Sequence, residues 1–404
     1  MGARYFLLAP PYVAEFRRHP ELFVSHMKER STNTRLKGEE KMKSKLLLGI
    51  IPVMLILTLA IVPVLASPPM QPTSKPFQLT TNPRYDRNPS FFQASDGTYW
   101  LFFTRGRNPI GIRGASYNPD YDSYDIYYKT ARSIPQLAKA IENLVPGSNL
   151  VTYNTQRDIA ALQASDGTIW AFTSSGYGPS SDAHIFYYKY DGASWSSPTA
   201  IPNTDDAGHI DALEYDGKIW VFFDAWSYIL QVTSYDEETT LWSTPQIIHY
   251  DATLAKGIID SGKFYLVWAS MSGGAGTGIY LSNSTDGTTW TSTSTPIAQW
   301  GAGLTNYDPV LIKDRDTFRL FWAPSNSEQF IATSTSTNPT DPSSWSTPVR
   351  VTTASYGSIG WWDFWPEPFK KGSTYLFYTS ERSSDGTAMI DGNIWVYMAV
   401  PLTS

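Results

Sequence analysis

The chain has 404 residues, of which 17 % are charged and 15 % aromatic, and its formal charge is −6. This mixture excludes intrinsic disorder, which requires low hydrophobicity and high net charge, and it suits half-buried pleated sheets, where aromatic side chains pack well. The absence of cysteine excludes disulfides, Cys-ligated zinc, iron–sulfur clusters and cysteine nucleophiles.

Charge is uneven along the chain. The first 66 residues hold ten Lys/Arg and five Asp/Glu, so the remainder carries a net charge of −11. Such an acidic body speaks against a nucleic acid or an anionic membrane as partner. Leu46–Leu65 is an uncharged apolar run, preceded by Lys41, Lys43 and Lys45 and followed by the small Ala66. Basic, apolar and small-residue stretches in that order describe a secretory signal peptide. The run is also long enough to serve as an N-terminal membrane anchor. Either way the rest of the chain is expected to be extracytoplasmic, touching the membrane only through this segment. Met42 stands where such a segment would start. Residues 1–41 are therefore read as a non-structural extension, 42–66 as signal or anchor, and 67–404 as the folded body.

The body repeats one unit six times. A turn followed by an apolar-aromatic strand recurs as SDGTYWLFFTR from Ser95, SDGTIWAFTSS from Ser165, YDGKIWVFFDA from Tyr215, DSGKFYLVWAS from Asp260, DRDTFRLFWAP from Asp314 and KKGSTYLFYTS from Lys370. Self-similarity at this period marks a propeller or a solenoid. The Asp-Gly and Ser-Gly pairs tolerate the positive φ of a tight hairpin. A short apolar run precedes each turn, and a third strand follows it, as in Asp125-Ile-Tyr-Tyr-Lys. Four copies continue with a Trp and then a Pro that opens a fourth run: Trp195 with Pro198, Trp242 with Pro245, Trp290 with Pro296 and Trp345 with Pro348. Proline is tolerated at the start of an edge strand. The first copy carries Ser133–Leu144 instead, whose apolar spacing predicts a short surface helix. The sixth copy stops after its third strand. Pro76-Phe-Gln-Leu-Thr is similar to Pro348-Val-Arg-Val-Thr, so an N-terminal strand is expected to complete the last blade and close the ring. The expected fold is all-β: a six-bladed β-propeller of four-stranded antiparallel blades.

In a propeller the innermost strands open onto one central funnel. Every copy places a polar or ionisable residue at that opening: Asp86, Arg87 and Asn88; Arg157 and Asp158; His209 and Asp211; Lys256; Asn306, Tyr307 and Asp308; Asp363, Trp365 and Glu367. The plain reading is a hydrated channel. The functional reading is a ligand or catalytic site. Carboxylates facing one another across a pocket are what glycoside hydrolysis requires, one as acid and one as base or nucleophile. Asp158, Asp211, Asp308 and Glu367 are the candidates. A ring of aspartates could equally hold Ca²⁺ through oxygen ligands, although no ordered calcium-loop motif is present. Trp361, Trp362 and Trp365 break the repeat in what reads as a loop, where they could form a sugar-stacking platform. Trp100, Trp170 and Trp220 read as blade core. His209 reads as structural or as a ligand contact. No phosphate loop, HExxH or G-x-S-x-G elbow is found.

Ser284-Thr-Asp-Gly-Thr-Thr-Trp290 resembles the Asp-box turn of the sialidase-like propellers, one residue shorter than the common form. Arg87-Asn-Pro-Ser-Phe with the later Gly106-Arg107 resembles the first-blade arginine motif of that superfamily. The resemblance implies substrate contacts from Arg87 and Arg107, an acid at Asp122, and further arginines to grip a carboxylate. Arg157, Arg319, Arg350 and Arg382 are available, though none has the family's context, and Tyr307 with Glu367 would have to supply the tyrosine–glutamate pair. Thr379-Ser-Glu-Arg382 with Asp391-Gly-Asn-Ile-Trp395 resembles Tol-type periplasmic propeller repeats, which are binding modules. Asp308-Pro309 resembles the acid-Pro strand opening of five-bladed furanosidases. Fold analogy does not choose among these activities.

The expected function is an extracytoplasmic glycan-active propeller, a glycoside hydrolase with a carboxylate-lined funnel and no obligatory cofactor. Arg87, Arg107, Arg157, His209, Tyr307, Trp365 and Arg382 are the expected substrate contacts. The alternative is a non-catalytic surface or periplasmic module binding a glycan or a protein partner.

Overall fold

The computed structural model describes residues 76–81, 85–106, 124–148, 158–175, 184–225, 228–271, 278–301, 304–325, 330–352, 361–383 and 389–399. All fall within one compact unit, Ala66–Ser404. The expected extension (1–41) and signal or anchor (42–66) lie outside the described residues.

The recurring turns do what their residues dictate. Gly97, Gly167, Gly217, Gly262 and Gly372 take φ of 66° to 90° between the first two strands of their blades, and in blade five Arg315 takes 56°. Six antiparallel sheets of at least four strands follow one another along the chain. The first strands are Asp86–Gln93, Ile159–Gln163, Ala207–Tyr215, Ala252–Asp260, Thr305–Asp314 and Trp361–Lys371. Each touches the first strand of the next blade, and the sixth touches the first, so they form a closed cycle around one axis. The chain is a six-bladed β-propeller.

Phe77–Gln78 supplies the fourth strand of blade six. Phe77 lies opposite Val396 and Gln78 opposite Trp395. The Leu79 N–H donates to the Ile394 carbonyl at 2.7 Å, and the Ile394 N–H donates to Thr80 Oγ1 at 3.0 Å. Leu79 is buried in the core between blades six and one. Lys129 of blade one donates from Nζ to the Leu79 carbonyl at 2.7 Å. It also lies 3.6 Å from Glu142, which shares Arg105 with Asp86. Every charge in this buried group faces an opposite one, the condition under which buried ions are tolerated.

The apolar core is six cores, one between each pair of neighbouring blades. A sheet is apolar on both faces here because both are covered. Trp100, Trp170 and Trp220 are buried in these seams, as expected. At the hairpin end, every seam carries a polar link. Ser95 N–H donates to Gln163 and Ser165 N–H to Glu214. Tyr215 donates to the Gly262 carbonyl. Lys313 pairs with Asp260 and Lys370 with Asp314, and Lys371 donates to Gln93. Gly287, in the turn Ser284–Trp290, has φ 73°, and a Cβ there would lie 2.4 Å from the Trp220 ring of the preceding blade. Only glycine fits that seam.

Two elements differ from expectation. The helix is a single turn, Ile134–Leu137, and Asn143–Leu144 instead forms the outer strand of blade one. Ile134 and Leu137 are buried, whereas Ile141 is 79 % exposed, so the apolar spacing does not continue as one helical face. Residues Trp361 to Trp365 are not a loop: they begin the first strand of blade six.

Leu79→Ala should lower the unfolding free energy by about 2–5 kcal/mol, as for other buried leucines; urea denaturation reads this, and an unchanged midpoint would refute the closing role of this residue. Arg319 occupies the repeat position held elsewhere by Trp100, Trp170, Trp220, Tyr265 and Tyr375. It is 7 % exposed, and its Nε has no hydrogen-bond partner among the described residues. Arg319→Tyr should therefore stabilise the fold, by about 1–3 kcal/mol on the precedent of buried ions replaced by apolar groups. A lower denaturation midpoint would contradict this.

Candidate functional site

The channel residues are set by a repeated irregularity. Each first strand except that of blade two shifts register against its neighbour within the same three-residue step: Arg87/Ser90, Ala207/Ile210, Thr253/Lys256, Tyr307/Val310 and Phe364/Glu367. A bulge of this kind adds one residue and re-aims its side chain. Asn88, Leu254, Asp308 and Trp365 sit in the step with φ of 47° to 57°. Asn and Asp tolerate that conformation, but Leu and Trp are strained in it.

Register then aligns the blades in levels. The bulge level comprises Asn88, Asp158, His209, Leu254, Asp308 and Trp365. Two residues further on, opposite the same position of the second strand, come Ser90, Ala160, Asp211, Lys256, Val310 and Glu367. The whole bulge level, together with Lys256 and Glu367, lines one cavity on the axis. Its void measures about 430 Å³ out to the open mouth, but only about 40 Å³ of it admits the centre of a water molecule. A sugar ring therefore has room only at the mouth, and a single substituent can enter the throat.

The deeper level ties blades together. Ser90 Oγ accepts the Ala161 N–H at 3.0 Å, and Asp211 Oδ2 accepts the Gly257 N–H at 2.7 Å. Glu367 accepts the Phe91 N–H in the same way. Each bond runs from one blade to the next. Asp211 also lies 3.5 Å from Lys256 Nζ. Of the four expected carboxyls, Asp158, Asp308 and Glu367 line the cavity, and Asp211 is turned toward Lys256 and Gly257.

At the bulge level the groups interlock across blades. Asn88 Nδ2 donates to Asp158 Oδ1. His209 Nε2 lies 3.9 Å from Asp158 Oδ2, and its Nδ1 lies 2.9 Å from Asp224 Oδ2. Asp308 accepts the Trp365 N–H. Burial pushes Asp308 up to about 7; His209 opposes the rise and Asp158 adds to it. Burial likewise pushes Glu367 up to about 7 against the pull of Lys256. For His209, burial disfavours the charged form, but Asp224, Asp158 and Asp308 together outweigh it and raise the imidazole to about 9.

Asp224 was not among the expected residues. It is buried behind His209, yet the repeat carried a signal: the same position is Thr104, Ser174, Ala269, Ala323 and Thr379 in the other copies. Arg87 is buried, its guanidinium 4.0 Å from the Tyr124 ring centre and 5.6 Å from that of Trp365. Arg105 is held by Asp86 and Glu142, and Arg350 donates to the Thr352 carbonyl. Among the described residues, no arginine lines the cavity. Tyr307 is buried and outside the lining, and Asp363 bonds Thr352 and Ser380. Arg107, Asp122 and Arg157, and the side chain of Arg382, lie outside the described residues. Among the described residues no group of three or more His, Asp or Glu is arranged to hold a metal ion.

No protein family matches the chain, and no curated protein is similar to it in sequence. Solved structures do match. A protein of unknown function from Dyadobacter fermentans superposes with a TM-score of 0.61 at 12 % identity, covering 82 % of this chain and 99 % of that one. A Trypanosoma rangeli sialidase superposes with a TM-score of 0.55 at 10 % identity, covering 81 % of this chain and 60 % of the sialidase. An α-L-arabinofuranosidase from Podospora anserina gives a TM-score of 0.49 at 10 % identity, covering 82 % of this chain and 96 % of that one. The chain thus spans about three fifths of the sialidase's length, and at these identities the likeness is one of fold alone, that of a β-propeller.

The channel also sets a pH dependence. Asp308 and Glu367 bind protons up to about pH 7 when folded, well above an ordinary carboxyl, and His209 up to about 9. The folded state therefore holds more protons than the unfolded one across this range, and stability falls as pH rises. The exposed carboxyls with lowered pKa, such as Asp286 and Asp236, act only at lower pH. Denaturation midpoints should decline from pH 5 to pH 8. Asp308→Asn should flatten the slope below about pH 7, and His209→Gln should flatten it above about 6.5. Stability rising with pH over this interval would contradict the assignment.

Proposed function

We propose that the propeller acts on glycans at the channel mouth, as a glycoside hydrolase for neutral sugars. One observation carries the reading: Asp158 and Asp308 face the same cavity at the same level, with His209 near both. Asp308, protonated near neutrality, is suited to give its proton to the leaving glycosidic oxygen. Asp158 is suited to act as base toward a water that attacks the anomeric carbon of a ring held at the mouth. Trp365, which lines the same cavity, offers aromatic surface toward the sugar. No described arginine lines the cavity to grip the carboxylate of a sialic or uronic acid. We infer a place outside the cytoplasm from the apolar segment Leu46–Leu65.

A second reading, a non-catalytic glycan-binding module, draws on the fact that Asp308 and Glu367 already accept N–H groups from the next blade.

The test is a panel of neutral aryl glycosides and aryl sialosides offered to the purified protein. A neutral glycoside should be cleaved, with kcat/KM falling above about pH 7 as Asp308 loses its proton. Asp308→Asn should reduce kcat/KM by about 10²- to 10⁴-fold, the usual contribution of a general acid. Glu367→Gln should mainly lower stability. Cleavage untouched by Asp308→Asn would sink the assignment, and binding without cleavage would favour the second reading.

A further inference from the structure

We propose that Asp158 and His209 form a hydroxyl clamp in the throat of the channel, and that Asp224 is the positioning residue that aims it. The proposal rests on the glycan reading above and names what that site grips.

Asp224 is fully buried, at the end of the second strand of blade three. Its Oδ1 accepts the backbone N–H of His209 at 2.7 Å. Its Oδ2 takes the His209 ring through Nδ1, the Thr253 hydroxyl, and the Leu254 N–H at 3.3 Å. A carboxylate removed from water needs this many donors and a counter-charge. Among the described residues, His209 is the one cationic side chain in contact with it. With Nδ1–H directed at Asp224 the ring plane is fixed, and in the imidazolium that the surrounding carboxylates favour, Nε2–H faces the opposite way. There it meets Asp158 Oδ2 at 3.9 Å, across the cavity that both residues line.

That separation is too long for a direct hydrogen bond and suits one oxygen bridging the two groups. The bridging atom must accept from Nε2–H and donate to the carboxylate. A hydroxyl does both. A carboxylate cannot donate to Asp158, and an ammonium cannot accept from His209. The throat of about 40 Å³ takes one such group, a hydroxyl or hydroxymethyl, and no ring. The charged groups around the imidazole are Asp158 from blade two, Asp224 from its own blade and Asp308 from blade five. Lys256 of blade four lies near Asp158 and Asp308. The clamp thus reads a hydroxyl group and refuses a carboxylate or an ammonium in its place, whether or not a bond is cleaved.

NMR of ¹⁵N-histidine-labelled protein tests it directly, with D-galactose and methyl α-L-arabinofuranoside as hydroxyl-bearing probes and acetate as a carboxylate without a hydroxyl. A sugar probe should shift the His209 Nε2 resonance, and acetate should not. His209→Gln should weaken binding of the sugar probe by about tenfold or more, the loss expected for one charge-assisted hydrogen bond. Asp224→Asn should weaken it while lowering the pH at which the His209 ring nitrogens lose their proton, with the fold verified by near-UV circular dichroism. A His209 resonance unmoved by both sugar probes, or moved equally by acetate, would overturn the clamp; this readout needs no variant to fold. Binding at His209 without hydrolysis would leave the clamp standing and remove only the hydrolase. Hydrolysis with His209 undisturbed would do the reverse.

Discussion

Everything in this fold depends on the pairing of Phe77–Gln78 with the third strand of blade six. No blade can bury both of its faces alone, so each core exists only because a neighbour covers it. An open row of five or six sheets would leave an apolar face bare at each end. The closing contact joins Thr80 to Ile394, 314 residues apart. Bringing ends that distant together costs roughly 5 kcal/mol of chain entropy on a logarithmic law. The two residue pairs of this strand alone would offset little of that. Burial of Leu79 and the Lys129 bond to its carbonyl supply the remainder.

The ring in turn makes the channel. Six first strands converge on one axis, and the same bulge in five of them turns consecutive residues inward. The channel wall is therefore polar by geometry: backbone at a bulge has lost part of its ladder, and side chains must satisfy the next blade's N–H groups. Ser90, Asp211 and Glu367 do this work. The remaining polarity is what a ligand can use. At the bulge level it alternates in sign, with Asp158, His209 and Asp308 in sequence around the axis broken only by Leu254.

Much of the architecture was legible in the sequence because its determinants are local. Asp-Gly and Ser-Gly turns, aromatic second strands and Trp-to-Pro outer runs each lie within one repeat, and comparison of copies averages out the exceptions. Pro76–Thr80 could be matched to blade six for the same reason. The site was less legible because its contacts join residues about 15 to 70 positions apart, as from Asn88 to Asp158 or from Asp224 to His209. Strand alternation also fails by one residue at each bulge, at the channel itself. Asp211 looked equivalent to Asp158 and Asp308, yet it lies one level deeper. Trp365 looked like a loop residue because its strand is bent there. Asp224 was hidden inside the most regular part of the repeat, where an exception is easily taken for noise.

The closing strand has a consequence for the order of events during synthesis. The first segment of the propeller to leave the ribosome is the last to find its place, since its partner strand ends some 300 residues later. Until then blade one has no neighbour on one side, and Leu79 and Phe91 stay uncovered. A nascent or truncated chain is thus not a smaller propeller but an arc with two adhesive ends. Such an arc can close on a second arc as readily as on itself, so domain exchange between chains is the natural failure of this fold.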